Sequence, residues 1–320
     1  MTTIKRNSVL GRLFFLSKGF LLVLAVFLSL SLKEALAQPT KVVYFMAGLK
    51  DHAGPSRHET EKDLLVLQRL LDSVSNINGV KIVTKFIYGR TALDIEDMKG
   101  VDAIVIESSS EGSSAERTHP LFPPSGDNKR GYSKEVDDYL NQVDSLHKNG
   151  MGIVVLHWAV AADNRRAANL QWDWFGGGFI PGYSNNPLGM WKITPIQQAK
   201  KHPILRGVGP WTYKDELFSR FMAIPEDPHR TNLLMGEAAK TNQGPVESRC
   251  VTWAYEKGQS RALLFGGMDY HSALLQADYR RFLLNAIVWA AGIEVPKGGV
   301  ASDAKGLQLV APVPDKFDEL

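Results

Sequence analysis

Residues 150–157 read Gly150-Met151-Gly152-Ile153-Val154-Val155-Leu156-His157. Met151 to Leu156 is an uninterrupted apolar run, and an imidazole closes it. A run this short and this apolar is buried on both faces, as in the middle of a parallel sheet. Working outward, Ser133 to His147 is helical and Asn149-Gly150 stops it. Upstream, Val101 to Ile106 is another strand, with Glu107-Ser108-Ser109 at its end. Lys41 to Ala47, ended by Gly48, and Val80 to Ile87 are two more. Between them a helix is expected from Arg57 to about Ser75, capped by Ser56 with Glu59 completing a capping box. Leu64, Leu67, Leu71 and Val74 share its inner face. Residues 112–131, rich in Gly, Ser and Pro, read as a surface loop. Strands alternating with helices imply an α/β fold: a mostly parallel sheet with helices on both faces.

The second half has a different texture. Strands are expected over 191–196, 232–235, 249–255 and 261–265, the last two pairing as a hairpin across Lys257-Gly258. This half is an antiparallel extension. An amphipathic helix from Gln276 to Ala291 turns Phe282, Leu283, Ala286, Ile287 and Ala290 inward, and Gly292 is its C-terminal stop.

The whole chain has 320 residues, 44% apolar and 22% charged, with one cysteine. That excludes disorder and a disulfide scaffold. Residues 1–37 read as a secretory signal: a basic start, a run from Gly19 to Leu32 without charge, and Ala35-Leu36-Ala37 as a small-x-small cleavage site. The expected organisation is a leader over 1–37, one domain over 38–293 and a tail over 294–320. The leader holds five Lys/Arg and one acid, so the remainder carries 32 basic and 33 acidic residues. The basic excess belongs to targeting, which argues against a nucleic-acid partner and for a periplasmic or secreted protein with no membrane anchor after cleavage.

In open α/β sheets ligands bind beyond the carboxyl ends of the strands. Four strands here end in polar or glycine-rich sequence: Gly48 to His52 with His58-Glu59, Glu107-Ser108-Ser109, His157-Trp158, and Gly266 to His271. Imidazoles and carboxylates converging on one edge suit proton transfer or metal binding. The candidate catalytic residues are His157, His271 and Glu107. Candidate substrate contacts are His52, His58, Trp158, Trp174, Gly177 and Asp269. Each also has a plain structural reading, as a helix-start Glu, a capping Asp or a hydrogen-bonded loop histidine. Trp172 to Phe179, with its triple glycine, reads equally as a platform for sugar faces or as core. His119, His147 and His229 are placed on the surface, uninvolved. No G-x-S-x-G elbow and no H-E-x-x-H occurs, and Cys250 falls inside a strand.

Seven segments in order then carry a resemblance. They are Asp51-His52 through His58-Glu59, Gly150 to His157, Trp174 to Phe179, Lys201-His202-Pro203-Ile204 with Gly207, Asp215-Glu216-Leu217-Phe218, Gly266-Gly267 with His271, and Leu284 to Gly292. The chain resembles the ThuA-like (trehalose-utilisation) family, whose fold is similar to class I glutamine amidotransferases and flavodoxin-like. The resemblance implies that the amidotransferase cysteine is missing, since His157 occupies that strand end, so glutaminase chemistry is not expected. It implies a sugar ligand, notably trehalose or a keto-sugar made by a partner oxidoreductase. It also implies a divalent metal as candidate cofactor, with His58, His157 and His271 as candidate ligands. Two classes stay open: an exported enzyme acting on a keto-glycoside or disaccharide by histidine- or metal-assisted chemistry, or a non-catalytic module that binds a sugar or a partner.

Overall fold

Val43 and Phe45 leave the first strand on one side, Tyr44 and Met46 on the other, and all four are buried. Burial on both sides makes the strand interior to a covered sheet. The computed structural model describes residues 38–90, 93–110 and 118–305. The leader read over 1–37 lies outside them, as do residues 112–117 of the expected loop and the chain beyond 305.

Strands β1 (Thr40–Ala47), β2 (Lys81–Tyr88), β3 (Ala103–Glu107), β4 (Gly152–Leu156) and β11 (Ser260–Phe265) pair in parallel. Strands β6 (Leu188–Pro195), β7 (Trp211–Glu216), β9 (Arg230–Ala238) and β10 (Val246–Lys257) extend the sheet with antiparallel pairings. Among the described residues the order is β2-β1-β3-β4-β11-β10-β9-β6-β7, and β5 (Gly177–Gly178) and β8 (Met222–Ala223) form a separate ribbon. This is the expected flavodoxin-like α/β sheet with its antiparallel extension. The β10–β11 hairpin pairs Lys257 with Ser260, where the sequence places it.

The helices are α1 (Thr60–Asp72), the single turn α2 (Ile95–Met98), α3 (Lys134–Lys148), α4 (Arg165–Phe175) and α5 (Ala277–Ala290). Helices α1 and α5 cover the face that receives Phe45, Val154 and Phe265. Helices α3 and α4 cover the face that receives Met46, Ile153 and Leu264. Each such fully buried side chain contributes about 1.5–3 kcal/mol of transfer free energy. Gly152 is required at the start of β4, because a Cβ there would lie 2.2 Å from the Ala290 carbonyl oxygen. Packing also continues past the expected boundary at residue 293. Val295 and Val300 are buried, and the Val300 N–H donates to Asn285 Oδ1 at 2.7 Å.

Helix α1 starts at Thr60, three residues later than expected. Only half of the capping box forms: the Ser56 N–H donates to Glu59 Oε1 at 3.1 Å, but no side chain caps the helix. Ser56 and His58 instead take left-handed backbone, with φ of 63° and 47°. Residues 56–58 are thereby spent on turning Arg57 and His58 toward the sheet edge. Helix α4 and the strand β7 were not marked as elements by the sequence.

Candidate functional site

Parallel pairing fixes where the strands stop. Ala47 pairs with Glu107, Glu107 with Leu156, and Leu156 with Phe265. The next residues, Gly48, Ser108, His157 and Gly266, therefore stand on one rim. His157 takes φ of +49° as β4 passes into a 3-10 turn over residues 157–160. Strained non-glycine backbone persists only where its surroundings hold it. Ser56, His58, His157 and Met268 all show it on this rim.

His58 and His157 meet there, with Nε2 to Nε2 at 3.0 Å. The third group is Asp269, whose Oδ1 lies 3.2 Å from His58 Nε2 and 3.9 Å from His157 Nε2. All three side chains are buried. Each is oriented from behind. His58 Nδ1 faces Asp51 Oδ1 at 2.5 Å, and the other Asp51 oxygen accepts from Ser109 Oγ at 2.6 Å. His157 Nδ1 donates to the Gly266 carbonyl at 3.4 Å. Arg57 Nε donates to Asp269 Oδ2 at 2.8 Å. Asp215, buried on β7, accepts the backbone N–H groups of Met268, Asp269 and Tyr270 at 3.0, 3.0 and 3.1 Å, which pins the loop that presents Asp269.

Charge follows this arrangement. Burial opposes the His58 cation, but the carboxylates Asp269 and Asp51 outweigh it and raise its pKa to about 9. Burial and then the neighbouring His58 lower His157 to about 3, so its ring is neutral. Asp51 is held below the usual carboxylate range, because its partner His58 and the Ser109 hydroxyl outweigh burial.

The donor set fits a divalent ion. Two imidazole Nε2 atoms and a carboxylate oxygen converge with no proton-donating group but the His58 ring among them. Around a tetrahedral ion with bonds of about 2.0–2.1 Å, ligand atoms stand about 3.3–3.4 Å apart. The observed 3.0, 3.2 and 3.9 Å bracket that spacing. Asp269 Oδ1 is fully buried, and His58 Nε2 at 3.2 Å and His157 Nε2 at 3.9 Å are the groups it faces among the described residues. The far nitrogen of each ring is bound to a carboxylate or a carbonyl, as metal-ligating histidines are.

A cavity of about 260 Å³ opens over this cluster, walled by His52, His58, Trp158, Phe179, Glu216 and Phe218. His52 has 70% of its side chain exposed and meets Trp158 edge-on at 5.4 Å. His52, His58 and Trp158, three of the candidate substrate contacts, thus line the cavity. His157 lies beneath it.

Other candidates lie elsewhere. His271 does not join His58 and His157: its Nδ1 bonds Asp63 Oδ1 of α1, and Asp269 takes the third place in the cluster. Glu107 is fully buried and does not wall this cavity. Burial, with Asp63 beside it, pushes its carboxyl well above the ordinary value. Trp174 is core, stacked on Phe122 with its Nε1 donating to Asp144 at 3.0 Å. Gly177 is buried in the β5–β8 ribbon, where a Cβ would meet the Met222 carbonyl oxygen. The platform reading of this segment therefore fails for Trp174, and Phe179 is the residue that reaches the cavity. His119 and His147 are buried rather than on the surface; His119 Nδ1 accepts from Leu121 N–H, and His147 Nδ1 meets the Met151 carbonyl. Cys250 lies within β10, and burial pushes its thiol up to about 11, which makes it unreactive. Asp51, Arg57, Asp215 and Glu216 were not singled out as site residues. Asp51 sits in the quoted His52 loop, and Asp215-Glu216 was one of the family segments.

The family model described as ThuA, trehalose utilisation, matches residues 77–290, about two thirds of the chain. The match begins after the His58 loop. A ThuA-like protein of Bacteroides uniformis superposes with a TM-score of 0.51 at 14% identity, covering 79% of this chain and 91% of that one. Another from Parabacteroides merdae gives 0.48 at 15% identity, covering 82% and 97%. At such identities the likeness is one of fold. No curated relative matches the sequence.

Proposed function

The chain belongs to the ThuA trehalose-utilisation family, and on that premise we propose that it is a divalent-metal-assisted enzyme of carbohydrate utilisation acting on a keto-glycoside or keto-disaccharide. The observation that carries this reading is the convergence of His58 Nε2, His157 Nε2 and Asp269 Oδ1 under a cavity of small-sugar size. Those three residues would hold the metal. When bound, it supplies Lewis acidity toward a carbonyl oxygen. The chain's own residues do the rest. Asp51 and the Gly266 carbonyl fix the two rings, and Arg57 fixes the Asp269 carboxylate. Trp158 and Phe179 offer apolar walls to the C–H faces of a sugar and exclude water.

Export to the periplasm or medium belongs to the same proposal, on the strength of the leader at 1–37. A sugar oxidoreductase would supply the carbonyl. The test is product formation by NMR from an alkyl 3-keto-glucoside and its parent glucoside, with metal-loaded and with chelated protein. Metal-dependent turnover of the keto-sugar alone is expected. No product under any condition contradicts the reading, and sugar binding without turnover returns the binding-module alternative.

A further inference from the structure

Two cavities share one carboxylate. The cavity over His58 and a second of about 310 Å³, walled by Arg57, Leu188 and Asn242, have His52 and Glu216 in common. His52 is largely in solvent. Glu216 ends β7, and both of its oxygens are held. Arg57 Nη2 donates to Oε2 at 2.8 Å, and Asn186 Nδ2 donates to Oε1 at 2.5 Å. A carboxylate fixed this way keeps one orientation toward a ligand, with lone pairs to spare. Arg57 also grips Asp269, so one guanidinium sets the spacing between Glu216 and the cluster.

The histidines are badly placed to take a proton from a ligand. Both His58 ring nitrogens face Asp51, Asp269 or His157. His157 is 2% exposed and walls neither cavity. Two carboxylates wall the cavity over His58, the exposed Asp163 and the held Glu216, and of the two only Glu216 also walls the second cavity.

We propose that Glu216 is the catalytic base that removes a proton from a substrate carbon next to a carbonyl, a proposal that rests on the keto-glycoside reading above. The C–H bond breaks and its proton passes to a Glu216 oxygen. The C–H electron pair becomes a carbon–carbon double bond, and the carbonyl π pair moves onto oxygen, giving an enolate. Return of a proton from Glu216 to the same carbon reverses the step, so no other reactant is consumed. The charged groups facing Glu216 are Arg57, Asp269 and His58, with the Asn186 amide beside them. Burial and then the Asp269 carboxylate raise its carboxyl above the usual carboxylate range in the metal-free protein.

The test is hydrogen exchange in D₂O. Metal-loaded protein is incubated with an alkyl 3-keto-glucoside, and deuterium at the carbons flanking the carbonyl is followed by NMR. Glu216→Gln keeps the shape and should slow exchange by about 10²-fold or more. Zinc content and keto-glucoside binding should stay within about twofold of wild type. Glu216→Asp, which keeps the carboxylate, should recover part of the rate and show that loss in the amide variant is not misfolding. Exchange by Glu216→Gln at the wild-type rate overturns the assignment while leaving the proposed function standing. Absence of exchange in the wild-type protein overturns both.

Discussion

His58 and His271 each face an aspartate: His58, in the segment leading into α1, faces Asp51, and His271, in the loop after β11, faces Asp63 of α1. Around His271 the cluster is closed. Its Nδ1 is bonded to Asp63, Glu107 lies beside Asp63, and all three side chains are sealed from solvent. Around His58 the cluster is open. Two Nε2 atoms and a carboxylate oxygen point at one another beneath a cavity. The same residue types serve both places. A ring bonded through one nitrogen to a core carboxylate is a structural link, and ligand atoms of three residues aimed at a common point are a site for an ion.

The largest effect that would break this contrast is on metal. His157→Ala or Asp269→Ala should weaken zinc binding, read by calorimetry, by about 10²- to 10³-fold, one ligand's share of the whole binding energy. His271→Ala should leave zinc affinity within about threefold. Stability should show the reverse pattern. His271→Ala strands Asp63 in the core, and urea denaturation should show a loss of about 3–5 kcal/mol. Glu107→Gln should cost less than about 1 kcal/mol, because the amide keeps the shape and burial with Asp63 beside it already opposes the carboxylate charge.

The sequence could place the rim but not divide it. The strand runs ending in His157, Glu107-Ser108-Ser109 and Gly266 to His271 were legible because buried parallel strands are unbroken apolar runs. Their register then aligns the polar residues that follow. What chain order does not carry is which way each ring turns. His271 and Asp269 are two residues apart, and the pinning of their loop by Asp215, by Arg57 and by backbone bonds to Ser56 and His58 goes with Asp269 facing His58 and His271 facing Asp63. Trp174 was ambiguous for a similar reason: an aromatic before three glycines looks alike whether it faces Phe122 or solvent. Glu216 was hidden because its partners, Arg57 and Asn186, lie 159 and 30 residues away.

Smaller effects sharpen the comparison. Asp51→Asn removes the carboxylate behind His58 and should cost about 10- to 100-fold in zinc affinity. In the metal-free protein His58 holds a proton up to about pH 9. Metal must displace that proton, so calorimetric affinity should rise about tenfold per pH unit toward pH 9 and then level off. The smallest effect is on pH stability. His157 and His119 are lowered to about 3 by burial, so the unfolded chain binds protons that the native state refuses. Their contribution is whole above about pH 6.5 and should be lost as pH falls from there toward 3, seen as a declining urea midpoint.

The most direct measurement of the central claim is a crystal structure of zinc-soaked protein with anomalous data at the zinc edge. The account predicts one strong anomalous peak within about 2.0–2.2 Å of His58 Nε2, His157 Nε2 and Asp269 Oδ1, with none near His271. Full occupancy of zinc elsewhere, or an empty cluster with the His58–His157 contact intact at saturating zinc, would contradict it.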